Sequence, residues 1–93
     1  MDSETQALSD LLHEVGETHH VVWKITDGDD PDWASWYAEH LLRLTHFPDI
    51  VGQPVVRSEL VYMLVKLDKE QSAAPAGEKW EDRYARELLA HFR

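Results

Sequence analysis

The sequence predicts an all-α fold, four helices arranged as two helical hairpins about a pseudo-two-fold axis, and three observations carry that expectation. Apolar residues recur at intervals of three and four along most of the chain. Proline and most glycine fall at or between the ends of these periodic segments. A pattern of aromatic and leucine residues, Trp33-x-x-x-Tyr37-Ala38-x-x-Leu41-Leu42, returns with the same spacing as Trp80-x-x-x-Tyr84-Ala85-x-x-Leu88-Leu89. Two copies of one helical hairpin produce an internal echo of this kind, and similar core demands on two helices produce it without duplication.

In chain order, Ser3 with Gln6 three residues on has the form of a capping box. From there Leu8, Leu12, Val15, His19, Val22 and Thr26 fall in line as one long helix. Gly16 costs that helix about 1 kcal/mol relative to alanine, and the β-branched run near Ile25 resembles a strand taken alone; the longer periodicity outweighs both. Gly28 fits the left-handed residue after a helix end. Asp30 and Pro31 then suit the cap and first position of a second helix, with Asp32 adding negative charge to its positive end. This helix is expected to run from Pro31 to about Thr45, burying Trp33, Tyr37, His40, Leu41 and Leu44. Residues 46–56 carry Pro48, Gly52 and Pro54 and read as an irregular connection. A third helix from about Val56 to Gln71 places Leu60, Val61, Leu64 and Leu67 on one face. After the turn-like SAAPAG, a fourth runs from about Glu78 to Phe92. The expected organisation is a single helical domain over 1–93, with hairpin one at 3–45 and hairpin two at 56–92.

Composition narrows function more by exclusion than by indication. The 93 residues hold no cysteine, which removes disulfides and thiolate chemistry and leaves only His and carboxylate as metal ligands. The net charge of −9 arises in the first half, where eleven acids face Lys24 and Arg43. That sign disfavours a nucleic-acid partner, since phosphate contact requires clustered Lys and Arg. A basic protein surface, or mimicry of nucleic acid, fits it better. No stretch approaches membrane-spanning length, so no membrane partner is expected and a cytoplasmic location is the default.

Several clusters invite chemistry. Asp27, Asp29, Asp30 and Asp32 alternate as calcium ligands do, but Gly28, Pro31 and Ala38 stand where a calcium loop needs other residues, and helix capping accounts for the acids. Glu17-x-x-His20 is half of a di-iron motif without its second half. On a helical wheel His19, His40, Glu87 and His91 face inward, and this set is the candidate for a divalent metal ion; otherwise no cofactor is expected. Trp33, Trp36, Tyr37 and His40 are the candidate ligand-binding residues, with Trp36 and His40 least explained by core packing. Neither a phosphate-cradling glycine loop nor a nucleophile elbow is present, so the expectation leans away from an enzyme. Leu42, Leu89, Tyr62 and Val65 fall off the main apolar faces, as in helices with two buried sides. These features point to a small acidic interaction or accessory domain that self-associates as a homodimer or binds a protein partner. The alternative is a metal- or small-ligand-binding helical domain.

The run DGDDPDWASWYAEHLL, with the later RSELVYMLVKLDKE, resembles small uncharacterised bacterial proteins with a DG-x-DPDW-x-x-WYA signature. The resemblance covers most of the chain and implies no activity, cofactor or catalytic residue.

Overall fold

The first helix, α1 (Ser3–Ile25), is capped one residue earlier than the capping-box pattern predicts. The Thr5 backbone N–H donates to Asp2 Oδ1 at 2.7 Å, so Asp2 occupies the cap, and Gln6 turns along the helix to Asp10 at 2.9 Å. Both residues are good caps, and Asp brings a charge that the helix dipole favours. The Thr5 backbone N–H is also the main reason the Asp2 carboxyl lies below the usual carboxylate range. The computed structural model describes residues 2–25, 32–73 and 77–93, with backbone alone for 22–25 and 73. The predicted stop at Gly28, the Asp30-Pro31 start and most of the acid cluster lie outside the described residues.

Helix α2 (Trp33–Leu44) follows Asp32, which holds the cap position and makes no side-chain capping bond. Thr45 closes it: its hydroxyl donates to the Leu41 carbonyl at 2.7 Å and accepts from the Phe47 N–H at 3.1 Å. That second bond leads directly into α3 (Phe47–Val51), where an irregular connection is expected from sequence. Pro48 stands in the first turn, where its missing N–H costs nothing, and Gly52 ends the helix at φ 75° with its N–H on the Pro48 carbonyl at 2.9 Å. Packing stabilises this short element, since Phe47 is fully buried and Val51 nearly so. Each such side chain contributes about 1.5–3 kcal/mol relative to exposure. Arg93, from the chain's last position, donates to the Ile50 and Val51 carbonyls at 2.7 and 3.2 Å and pairs with Glu4.

Helices α4 (Arg57–Ala73) and α5 (Trp80–Phe92) complete a fold that is all-helical, five helices among the described residues. All five feed one core. Its buried residues on α1 are Leu8, Leu11, Leu12 and Val15, and on α4 Leu60, Met63, Leu64 and Leu67, two sets with the same spacing. The main interfaces do not lie within the predicted hairpins: α1 packs chiefly on α5, and α2 on α4, while α1–α2 and α4–α5 contacts are sparser. Ala38 and Ala85, both fully buried, provide the small faces that close helix approach requires. Polar links bridge these interfaces, and others cross α4–α5. Ser9 donates to Asp82 at 2.6 Å and His13 meets Glu81 at 3.0 Å across α1–α5, while Arg57 reaches Glu39 at 3.2 Å across α2–α4.

Three sequence expectations are corrected by burial. Leu44, expected inside, is 73% exposed because α2 ends there. Leu89, expected off the apolar face, is buried, whereas Tyr62 is exposed as expected. Val61 yields its central place on α4 to Met63. No helix among the described residues is long and apolar enough to cross a membrane.

Candidate functional site

The repeated pattern positions the site. In α2, Trp33 and Tyr37 lie one turn apart and meet edge to face, with ring centroids 5.9 Å apart at 82°. In α5, Trp80 and Tyr84 do the same at 5.2 Å and 79°. A residue and its neighbour four positions on share a helix face, which is why the Trp-x-x-x-Tyr spacing makes such a pair at all. Both pairs line one cleft of about 360 Å³. Leu12 of α1 and Leu64 of α4, both fully buried or nearly so, lie beneath the aromatic walls. His19, Asp68 and Gln71 supply the polar part of the lining. Its volume is at the small end of the range for ligand sites, about 300–1,000 Å³.

The lining is matched in pairs. Leu12 and Leu64 hold the same place in the two leucine patterns of α1 and α4, as do His19 and Gln71; Trp33 and Trp80, then Tyr37 and Tyr84, are matched by the repeat in α2 and α5. Asp68 breaks the match, because the corresponding residue of α1 is Gly16. The absence of a side chain at Gly16 lets Trp80 and Tyr37 close against α1: a Cβ there lies 3.4 Å from Trp80 Cζ2 and 3.7 Å from the Tyr37 hydroxyl.

Electrostatics of the cleft are carried by carboxylates. Burial pushes the Tyr84 hydroxyl well above the usual phenol range, and the Asp68 charge adds to the effect against a smaller opposing one from Arg83. Burial likewise raises Tyr37, with Glu81 adding to it. Both hydroxyls therefore stay protonated at neutral pH as donors and acceptors. Arg83 donates to Gln71 Oε1 at 3.3 Å and lies 3.8 Å from Glu70.

Of the residues singled out by sequence, Trp33 and Tyr37 line this cleft, and His19 joins them there from α1. Trp36 and His40 do not. They stack on each other with centroids 4.9 Å apart at 16° and line a shallow surface hollow with Arg43 and Leu44. Trp36 also meets the rings of His19 at 5.0 Å and Tyr37 at 5.4 Å, so its indole stands between the two histidines that the helical wheel brings together. The proposed metal set is dispersed. His91 pairs with Glu59 at 2.8 Å near the end of α5, while His19 shares the cleft with Trp80 at its start, about 16 Å of helix rise away. Glu87 is half-buried on α5. Among the described residues no group of three or more His, Asp or Glu side chains is placed to hold a metal ion. His91, which the wheel turned inward, is exposed, and a wheel gives neither a residue's height in the bundle nor its helix partner.

Trp80, Tyr84, Asp68 and Gln71 are the site residues that sequence reasoning missed. The signal for the first two was present, because the repeat that marks Trp33 and Tyr37 marks their counterparts equally. No protein-family profile, curated protein or solved structure matches this chain.

Proposed function

We propose that this chain is a small-ligand-binding helical domain, built from two copies of a helical hairpin related by a pseudo-two-fold axis, with its binding cleft on that axis. The observation that supports it is the delivery of both Trp-Tyr pairs to one cleft. A pattern maintained only for core packing has no need to gather four amphipathic rings around open volume. The contact pattern fits the same symmetry, since exchanging the halves turns the α1–α5 interface into the α4–α2 interface. Aromatic walls with a few polar groups are the usual composition of a ligand site, in which the rings supply area and the polar groups orientation. A hydrolytic or transfer reaction finds no support among the described lining residues, which include no activated nucleophile.

A fragment screen by protein-observed NMR on the full chain tests this reading. The expected result is a set of ligands whose shift changes centre on the Trp33 and Trp80 indoles and on Tyr37 and Tyr84, with Trp33→Leu and Trp80→Leu each weakening binding. Shifts confined to other surfaces, or no ligands from a screen of ordinary size, overturn it.

Self-association is a second reading, drawn from Leu44, Val56 and Tyr62, which are 73%, 61% and 60% exposed on or beside α2 and α4. Those two helices pack on each other, and exposed apolar side chains of this size suit a partner surface. Light scattering across micromolar concentrations tests it, and a strict monomer removes it.

A further inference from the structure

We propose that the cleft between the two Trp-Tyr pairs takes an organic cation, a quaternary or protonated alkylammonium group, held by the faces of Trp33, Trp80, Tyr37 and Tyr84 with Asp68 as its counter-charge. This rests on the ligand-binding reading above and adds the chemical class.

Three features of the cleft select that class. Its walls are two tryptophans and two tyrosines, the rings whose negative faces attract an alkylammonium most strongly. Among the described residues its lining carries one carboxylate, Asp68, and neither lysine nor arginine. Among the described residues no hydrogen bond or ion pair engages the Asp68 carboxylate, in a chain where Glu39, Glu59, Glu78 and Glu81 all hold cationic or histidine partners. Arg83, whose charge reaches Tyr84, is engaged by Gln71 and Glu70 and not by Asp68.

The electrostatic environment agrees with the sign. The cleft disfavours a phenolate at both tyrosines, and after burial the contributing charge is a carboxylate in each case, Asp68 for Tyr84 and Glu81 for Tyr37. Burial, the larger cause, penalises a charge of either sign, and it is the smaller carboxylate contribution to each shift that favours a bound cation. An alkylammonium also meets less desolvation cost there than a metal ion does, because its charge is spread over methyl groups that the rings and the Leu12 and Leu64 side chains can cover. A carboxylate or phosphate ligand faces the same field with the wrong sign. Asp68 is exposed while the two leucines are buried, so the charge stands at the mouth and the apolar surface lies deeper. The ligand therefore enters with its alkyl part against the rings and its nitrogen within reach of Asp68.

The test compares choline with its uncharged carbon isostere, dimethylbutanol, by tryptophan fluorescence and NMR on the full chain, with sodium chloride matching ionic strength. Choline is expected to bind saturably, with shifts at the four rings, and the isostere about tenfold more weakly, the order of a partly desolvated cation–π and ion-pair contribution. Asp68→Asn, an exposed change of similar shape, is expected to weaken choline about three- to tenfold and leave the isostere unchanged. Equal binding of choline and isostere overturns the cation assignment while leaving a ligand cleft in place. Failure of both, with no fragment binding at the rings, overturns the cleft reading itself. Choline binding unaffected by Asp68→Asn removes the carboxylate from its role.

Discussion

Laid side by side from Trp33 and from Trp80, α2 and α5 agree at the centre of their core faces and differ in what faces their neighbours. Ala38 and Ala85 are both fully buried, as are Leu41 and Leu88, and each Trp-Tyr pair is an edge-to-face contact. The position between Trp and Tyr diverges: α2 has Trp36 and α5 has Arg83. Yet the two residues reach equivalent partners. Trp36 packs its ring on His19, centroids 5.0 Å apart, and Arg83 donates to Gln71 at 3.3 Å. His19 and Gln71 hold matching places on α1 and α4. The two contacts stand at matching places and differ in chemistry, aromatic packing in one and a hydrogen bond in the other. Buried shape is the constraint that both copies share, because a packed interior registers a change of even one methylene.

The comparison is broken most directly at its deepest point. Leu41→Ala and Leu88→Ala remove side chains that are both at 0% exposure. Each is expected to cost roughly 2–5 kcal/mol of unfolding free energy, and the two costs are expected to agree within about 1 kcal/mol. Urea titration of each variant measures this. A large cost at one site and a negligible one at the other means that the halves do not share a core equally.

The next contrast lies at the diverged position. Trp36→Ala loses half-buried aromatic surface and the contacts with His19, Tyr37 and His40, an expected loss of about 1–3 kcal/mol. Arg83→Ala loses one long hydrogen bond and a 3.8 Å ion pair, worth about 0.5–1 kcal/mol. The double variant is expected to be additive, because each residue touches a different neighbour. Strong coupling between them shows that the two contacts belong to one network across the cleft.

How much of this was legible before the structure depended on whether a feature was local. Periodicity placed the long helices, and the Trp-Tyr spacing put Trp33 and Tyr37 in the candidate site, since both follow from neighbours within one turn. The helix Phe47–Val51 was hidden because five residues are too few to show a period, and its Pro48 and Gly52 read as breakers when they are its start and stop. Which helix packs on which was not readable either. The α1–α5 and α2–α4 pairing depends on fit between faces distant in sequence, and it decides that Asp68 and Gln71 join the cleft while His91 lies at the other end of α5. His40 shows the same limit: the wheel turned it inward, but Trp36 fills the space and takes its ring as a stacking partner.

A third contrast uses pH. Tyr37 and Tyr84 both have hydroxyls raised above the ordinary value of 10.0 by burial, Tyr84 strongly. A phenol raised in the folded state loses its proton first in the unfolded chain. Its stabilising contribution is therefore complete below pH 10.0 and is lost as pH rises through the folded value. Unfolding midpoints are expected to fall above that pH, and Tyr84→Phe is expected to flatten the fall more than Tyr37→Phe. A larger effect from Tyr37→Phe reverses the order of burial between the two copies.

The smallest expected difference lies at the one mismatch in the cleft's pairing, Gly16 against Asp68. Gly16→Ala adds a methyl group at ordinary contact distance, 3.4 Å from Trp80 Cζ2, and relieves the backbone-entropy cost of glycine within a helix. A gain of about 0.4–1 kcal/mol is expected. Asp68→Ala, on the exposed surface of α4, gains only about 0.5 kcal/mol from helix propensity. The two changes are expected to separate in binding. Gly16 does not line the cleft and Asp68 does, so alanine at 16 leaves choline affinity in place while alanine at 68 lowers it. Destabilisation by Gly16→Ala means that Trp80 and Tyr37 do not accommodate a methyl group on α1. Glycine is then required for the seating of the α5 aromatic pair against α1, and the asymmetry between Gly16 and Asp68 is structural as well as electrostatic.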